Sequence, residues 1–132
     1  MDVNLWFICC RRGNEAFLAK RYEEAVQAYT EAIQFDGTNE AYYGNRCASY
    51  LKLNDLQNAL ADAKMCRRCR PNWSKGCYRH GMVLMKMERY EDAAIVFYAG
   101  VKMDPQSKDL ANAFRDAIQK GREQHQRLQQ QK

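Results

Sequence analysis

Residues 74–107, SKGCYRHGMVLMKMERYEDAAIVFYAGVKMDPQS, decide the fold, because the two stretches before them repeat the same pattern. Shifted back along the chain by 34 residues, this stretch aligns without a gap on residues 40–73 and again on residues 6–39. A fixed period of this length indicates structural units that stack on one another and share one continuous core. A single unit cannot bury its apolar face alone, whereas three stacked units can.

At equivalent positions of the three copies, side-chain size recurs more strictly than residue type. We call a set of three positions 34 residues apart a register. Three registers hold small residues and two hold large ones, and the middle copy departs only at Ala63. The small registers are Gly13/Cys47/Gly81, Ala25/Ala59/Ala93 and Ala32/Cys66/Gly100, and the large registers are Tyr22/Leu56/Tyr90 and Tyr29/Ala63/Phe97. A closing proline stands at Pro71 and Pro105, and Gly37 takes its place in the first copy.

The pattern predicts two helices in each copy, with a break between them. In the first copy the break falls at Ala19–Arg21, and a second helix is predicted over Glu23–Phe35. The apolar residues of that helix follow a helical period rather than the alternation of a strand. They are Ala25, Val26, Ala28, Tyr29, Ala32 and Ile33. The small registers let two helices approach closely, and the large residues fill the gaps beside them.

The chain beyond the third copy predicts one more helix. Residues 108–123 are apolar at helical spacing, and we expect them to form a seventh helix that caps the last repeat. Residues 124–132 are rich in glutamine and lack an apolar stripe, which predicts either a frayed helix or disorder. The predicted domain therefore spans residues 1–123.

Composition and charge exclude several classes of function. A net charge of +5 over 132 residues is too weak to indicate a nucleic-acid partner. Neither His80 nor His125, the only histidines, lies in a catalytic or metal motif, and no glycine-rich phosphate loop is present. We therefore expect no enzyme activity and no cofactor. The start of the chain has an acid, Asp2, where a signal peptide has basic residues, and it has no membrane-spanning apolar run, which favours a reduced, cytoplasmic protein.

The six cysteines leave a second interpretation open. Cys66 and Cys69 form a Cys-x-x-Cys motif, and together with Cys9 and Cys10 they suggest zinc binding or redox chemistry. The two pairs differ in spacing and are a whole repeat apart, and Cys66 stands in a small register, so small buried thiols are favoured. The basic run Arg67–Arg70 is interpreted as cations that stabilise a helix C-terminus rather than as a nucleic-acid patch.

The period, the small registers and the closing proline resemble the tetratricopeptide repeat (TPR). The resemblance implies an all-α fold, a right-handed superhelix of three TPR helix-turn-helix repeats plus a C-terminal capping helix. Three segments of the third copy and the cap also resemble the TPR segment of plant-type ankyrin–TPR proteins, which implies that the chain is part of something longer. These segments are Cys77–Arg79, Val96–Val101 and Phe114–Ala117.

The first helices of stacked TPR hairpins line a concave groove, and four polar residues are expected to face it. They are Asn14, Asn45, Lys75 and Arg79. Two amides, an ammonium and a guanidinium offer hydrogen-bond donors that suit a carboxylate. The set resembles the carboxylate clamp of TPR co-chaperones, which holds the C-terminal Glu-Glu-Val-Asp tail of the seventy- and ninety-kilodalton heat-shock chaperones. The resemblance implies that the first three residues hold the terminal carboxylate and that Arg79 holds an upstream carbonyl or side chain.

One clamp position departs from the family. The family has a lysine where this chain has Cys10, and the neighbouring Arg11 is expected to compensate in part. Met82 is expected to offer an apolar contact to the ligand, as are Phe17 and Met85.

Two functions are compatible with these features. The first is a co-chaperone or adaptor module that binds acidic C-terminal peptides of heat-shock chaperones, with neither nucleic acid nor membrane among its partners. The alternative is a TPR scaffold without clamp activity, which binds another protein or itself through the apolar residues Leu5–Ile8. We expect a monomer unless those apolar residues pair two copies.

Overall fold

The computed structural model describes residues 3–131, with side chains from Phe7 onward, and these residues form seven α-helices and no β-strand. The helices are α1 (Val3–Leu18), α2 (Tyr22–Phe35), α3 (Glu40–Lys52), α4 (Leu56–Cys69), α5 (Ser74–Lys86), α6 (Tyr90–Met103) and α7 (Lys108–Gln130). The predicted all-α fold of three hairpins and a final helix is confirmed. None of these described helices is long and apolar enough to cross a bilayer. Predictions that fall on residues 1, 2 and 132, and on the side chains of Leu5 and Trp6, lie outside the described part.

The helices fall into two compact units, residues 1–71 and residues 72–132. In the first unit, α1 packs against α2, α2 against α3, and α3 against α4. In the second unit, α5 packs against α6 and α6 packs against α7, which also touches α5. Each helix therefore covers its apolar stripe with a neighbouring helix of its own unit.

Each hairpin turns at a residue in the left-handed region of backbone conformation. Lys20, Asn54 and Glu88 have φ angles of 63°, 59° and 60°, and they occupy equivalent places of the three copies. The N–H of the next residue bonds to a carbonyl five residues earlier, as Arg21 does to Ala16 at 2.8 Å, which is the Schellman ending of a helix. The break predicted in the first copy is confirmed, and it recurs in all three hairpins.

The small and large registers meet inside the hairpins, as predicted. A Cβ atom placed on Gly13 would lie 2.9 Å from the Tyr29 ring, and one placed on Gly81 would overlap the Phe97 ring. The equivalent residues of the middle copy are Cys47 and Ala63, both fully buried. The middle hairpin therefore has its larger residue on the first helix and its smaller residue on the second, the reverse of its neighbours.

The last helix is longer than predicted. α7 continues through residues 124–130, for which the sequence predicts a frayed helix or disorder. Polar side chains support this extension: Gln119 donates to Glu123 at 2.9 Å, and Gln124 donates to the backbone carbonyl of Glu88 at 3.2 Å. Glutamine, lysine and arginine also have high helix propensity. Local hydrogen bonding and propensity thus sustain a helix that has lost its apolar stripe.

Two cysteines lie where their registers predict. Cys47 and Cys66 are fully buried at positions that hold glycine or alanine in the first copy. None of the six cysteines forms a disulfide with another described residue. Within residues 7–131, no three His, Cys, Asp or Glu side chains lie together in a way that would hold a metal ion.

Candidate functional site

Asn14 lies exposed on α1, and a buried tyrosine orients its side chain. The hydroxyl of Tyr29, on α2, donates a hydrogen bond to Asn14 Oδ1. Gly13 makes this contact possible, because a side chain at that position would collide with the Tyr29 ring. Since the amide oxygen is engaged, the amide NH2 group is the part of Asn14 that can donate to a ligand.

Asn45 lies half-buried on α3. Its backbone carbonyl accepts a hydrogen bond from Ser49 Oγ at 3.1 Å, whereas its side-chain amide bonds to no other described residue. Both N–H donors of the Asn45 amide are therefore available to a ligand.

Beside this asparagine is a buried ion pair that sequence reasoning missed. Arg46 donates two hydrogen bonds, of 2.8 and 2.7 Å, to the carboxylate of Asp62 on α4, and a third, of 3.0 Å, to Thr30 Oγ1 on α2. The rings of Tyr43 and Tyr50 each lie 5.9 Å from the guanidinium carbon. The side chains of Arg46 and Asp62 are only 18% and 4% exposed.

This ion pair joins three helices of the first unit and positions α3, which carries Asn45. Burial raises the pKa of Asp62 although the hydrogen bonds from Arg46 oppose that effect, and the same hydrogen bonds raise the pKa of Arg46. The period contained a signal for the arginine but not for its partner, because Ala28 stands where the middle copy has Asp62. Arg12 occupies the equivalent position of the first copy, and it lies 2.8 Å from the carboxylate of Glu31 on α2.

The clamp position that departs from the family lies against the core. Cys10 is half-buried and packs on an apolar cluster that includes Cys9 and Ala32. Arg11, the predicted substitute, is exposed, and its Nε lies 3.0 Å from Glu15 Oε1. An exposed ion pair at this spacing is weak, so Arg11 can exchange Glu15 for an acidic ligand at little cost.

Lys75 and Arg79 lie one turn apart on α5, in the second unit. Lys75 is exposed and Arg79 is half-buried, and neither forms an ion pair with any residue that the structure describes. Two like charges at this spacing repel each other, and a cation in the first turn also opposes the helix dipole. An anion bound between the two side chains would relieve both effects.

A small cavity adjoins Met82 on the same helix. Its volume is about 230 Å³, so it holds one side chain rather than a whole peptide. Its lining combines apolar groups with charged ends: Met82, Met85, Phe97, Ala113, Lys86, Asp116 and Lys120. The predicted apolar contacts Met82 and Met85 therefore lie together, whereas Phe17 lies in the first unit, edge-on to Tyr22 with ring centres 5.5 Å apart.

The four residues predicted to form the clamp divide equally between the units. Asn14 and Asn45 belong to residues 1–71, on the first helices of successive hairpins, and Lys75 and Arg79 belong to residues 72–132, on a single helix. That all four meet around one ligand stays a prediction.

Comparison with known proteins assigns the family. A family model described as the TPR repeats of BSK1-like serine/threonine-protein kinases matches residues 6–81, and a tetratricopeptide repeat model matches residues 74–107, the predicted third copy. The first match covers more than half of the chain, so the chain belongs to this family of TPR repeats. TPR domains are protein-interaction modules whose stacked helices form extended binding surfaces. The resemblance to ankyrin–TPR proteins stays a prediction.

Curated relatives include proteins named for heat-shock chaperones. The chain is 42% identical over 106 residues to a protein STIP1 homolog from Dictyostelium discoideum, and 36% identical over 108 residues to an Hsp70-Hsp90 organizing protein from Triticum aestivum. These alignments cover 80% and 82% of this chain and 19% of each relative. The chain thus spans about a fifth of the length of the curated relatives it matches.

Solved TPR domains share the fold. The Arabidopsis OM64 TPR domain is 31% identical, with a TM-score of 0.79 over 85% of this chain and 93% of that domain. The first TPR domain of Spaghetti (RPAP3), solved with the HSP90 peptide SRMEEVD, is 22% identical, with a TM-score of 0.83 over 90% of this chain and 94% of that domain. The second likeness shows the fold alone.

Proposed function

We propose that this chain binds the C-terminal tail of a heat-shock chaperone, of the Glu-Glu-Val-Asp type, as a co-chaperone or adaptor domain. The observation that carries the proposal is the pair of cations on α5, Lys75 and Arg79, for which the described residues provide no ion-pair partner. The relatives named Hsp70-Hsp90 organizing proteins support the choice of partner. The fold, shared with a TPR domain solved with an HSP90 peptide, supports the mode of binding.

The donors have distinct roles in this proposal. Asn14, Asn45 and Lys75 donate to the two oxygens of the terminal carboxylate, and the Arg79 fork donates to an upstream carbonyl or acidic side chain. The hydroxyl of Tyr29 holds the Asn14 amide with its NH2 group free to donate. Met82 and its cavity accept an apolar side chain from farther up the peptide.

The thiol of Cys10 makes this site weaker than a complete clamp. A hydrogen bond to a charged group contributes roughly 1.5–3 kcal/mol, so the missing lysine lowers affinity by about 10- to 100-fold. Arg11 recovers part of this loss by leaving its exposed pairing with Glu15.

Calorimetric titration with a peptide ending in Glu-Glu-Val-Asp tests the proposal. The expected result is micromolar binding of the free acid, and binding weakened about tenfold or more by amidation of the peptide C-terminus or by Arg79→Ala. Lys102→Ala is the matched control, because it removes a cation from α6, a second helix of a hairpin. Equal affinity for the acid and the amide would overturn the proposal.

A second function, a scaffold that self-associates through its N-terminal face, is favoured by one specific observation. Phe7 and Ile8 on α1 are 57% and 54% exposed, which leaves two large apolar side chains in contact with water. Phe7→Ser would abolish self-association through this face. A dimer that persists in that variant would exclude the scaffold in this form.

A further inference from the structure

A groove between α6 and α7 forms an open, mostly apolar surface of the second unit. Its volume is about 640 Å³. Ala94 and Ile95 line it from α6, and Ile118 and Gly121 line it from α7. Ile95 is 69% exposed, an unusual state for a large aliphatic side chain inside a groove.

The repeat register explains why this groove is open. α7 occupies the register of a first helix, because Lys108 is equivalent to Ser74, where α5 begins. In each hairpin the chain then turns at a left-handed residue, Glu88 in the third copy, and a second helix follows. The residue equivalent to Glu88 is Arg122, and there α7 continues as a helix to Gln130 instead of turning. Among the described residues, α7 therefore lacks the second helix that follows each other first helix, and the groove beside it stays open.

A large apolar residue at the position of Ile95 is specific to the third copy. Ile95 is equivalent to Gln27 and Ala61, both of which are exposed on their second helices. The repeat itself therefore does not require a large apolar residue at this position. A helix packed into the groove would explain one, because it would cover Ile95 and Ile118 together.

The helix that forms one wall of the groove also carries an exposed leucine near its end. Leu128 is 56% exposed on the extension of α7. Ile118, Gly121, His125 and Leu128 are spaced by three or four residues, so they share one face of the helix. When two copies of α7 lie antiparallel about a two-fold axis at Glu123, Leu128 of each copy faces Ile118 of the other, and His125 faces Gly121.

Charge favours the same pairing. From Gln119 onward α7 carries Lys120, Arg122 and Arg127 against a single acid, Glu123. The start of α6 carries Glu91 on the groove lining, together with Asp92, which is paired with Arg89. Arg122 lines the same groove, so Glu91 is the acid left to attract the second copy, and antiparallel packing brings the basic part of that copy's α7 toward it.

We propose that the groove between α6 and α7 binds α7 of a second copy, so that the chain forms a two-fold dimer through its second unit. A two-fold interface needs a surface that complements itself, and α7 provides both the protruding leucine and the wall of the groove that receives it. This dimer differs from the monomer that the sequence predicts, and its apolar contacts, Ile95, Ile118 and Leu128, are neither predicted peptide-binding residues nor part of the N-terminal face.

Sedimentation velocity over a series from low micromolar to submillimolar protein tests the dimer. The wild-type chain is expected to dimerise with increasing concentration, and Ile95→Asp or Leu128→Asp is expected to weaken dimerisation at least about tenfold. Both side chains are exposed, so both variants should keep the helical circular dichroism of the wild type. Leu18→Asp is the matched control, because Leu18 is 82% exposed in the first unit.

Three outcomes would overturn the proposal. They are a wild-type monomer at the highest concentration, a dimer that survives both aspartate variants, and a dimer that is lost in Phe7→Ser while Ile95→Asp retains it. The peptide titration is independent of this result, because monomeric Ile95→Asp should bind the Glu-Glu-Val-Asp peptide as the wild type does.

Discussion

At Asn14, an exposed amide proposed to bind the ligand shares one hydrogen bond with a core tyrosine. Tyr29 is buried because Gly13 leaves space for its ring, and its hydroxyl reaches through to the surface at Asn14. The residue that fills the hairpin therefore also orients a proposed ligand-binding side chain. The Tyr29 side chain thus contributes both to the packing of the hairpin and to the orientation of Asn14.

Tyr29→Phe should weaken peptide binding while it leaves the fold intact. Without the hydroxyl, the Asn14 amide is free to rotate, and we expect an affinity loss of about three- to tenfold by calorimetry. Tyr43→Phe is the matched control, because it removes a hydroxyl that donates to the Gly37 carbonyl at 2.9 Å, far along the chain from Asn14. Unchanged affinity in Tyr29→Phe would show that the hydroxyl does not position the amide.

Cys10→Lys should strengthen peptide binding. Cys10 packs on the apolar cluster around Cys9, and a lysine stem can cover the same surface while its ammonium reaches water. We expect an affinity gain of about 10- to 100-fold in the same titration. Cys10→Met separates charge from size, and an equal gain in Cys10→Met would contradict the role assigned to the ammonium.

At the scale of the hairpin, the glycine–aromatic pair is the unit that sets helix spacing. Gly81 cannot become alanine without displacing the Phe97 ring, which is fully buried. We expect Gly81→Ala to lower the free energy of unfolding by about 2 kcal/mol, measured by urea denaturation. Gly37→Ala is the control, because a Cβ atom there would make only ordinary contacts, at 3.6 Å or more.

A double-mutant cycle tests the pair directly. Gly81→Cys combined with Phe97→Ala copies the middle hairpin, so the double variant should be less destabilised than the sum of the single variants by at least about 1 kcal/mol. Additive losses would mean that the two positions are independent.

The hairpins also show which structural features can be predicted from the sequence. The period predicted the helices because size recurs at fixed places, from Gly13 to Gly81. It did not predict the left-handed turns, because Lys20 and Glu88 are not residue types that favour this conformation, and only Asn54 is. It missed the helical residues 124–130, since polar contacts rather than an apolar stripe support them.

For the candidate site, the binding residues stay a prediction. The resemblance to co-chaperones identified Asn14, Asn45, Lys75 and Arg79 by register. The tyrosine that orients Asn14 and the ion pair of Arg46 were missed. Both are contacts between side chains on different helices, and no local pattern in a single sequence shows which side chains make such contacts.

For the molecule as a whole, stability should fall in alkaline solution. Burial is the main cause that raises the pKa values of Cys9, Cys69, Tyr43 and Tyr50, all in residues 1–71. Their ordinary pKa values are 9.0 for the thiols and 10.0 for the phenols. Above those values the unfolded chain has lost protons that the folded chain retains, so rising pH favours unfolding.

Urea denaturation at a series of pH values checks this expectation. The free energy of unfolding should decline as pH rises from about 9, and the decline should be shallower in Tyr50→Phe. Tyr78→Phe, at an exposed tyrosine of the second unit, is the control. A free energy that stays level through this range would contradict the assignment of these groups to protected sites.

The reversed pair at Cys47 and Ala63 bears on how arrays of repeats diverge. Its neighbours place glycine opposite an aromatic ring, whereas the middle hairpin places a thiol on one helix and a methyl group on the other, with both fully buried. Evolution from one of these pairs to the other by single substitutions passes through a hairpin core that is either overpacked or contains a cavity. The constraint at this site is therefore on the summed volume of the two facing side chains. The two positions are expected to covary rather than to be conserved singly.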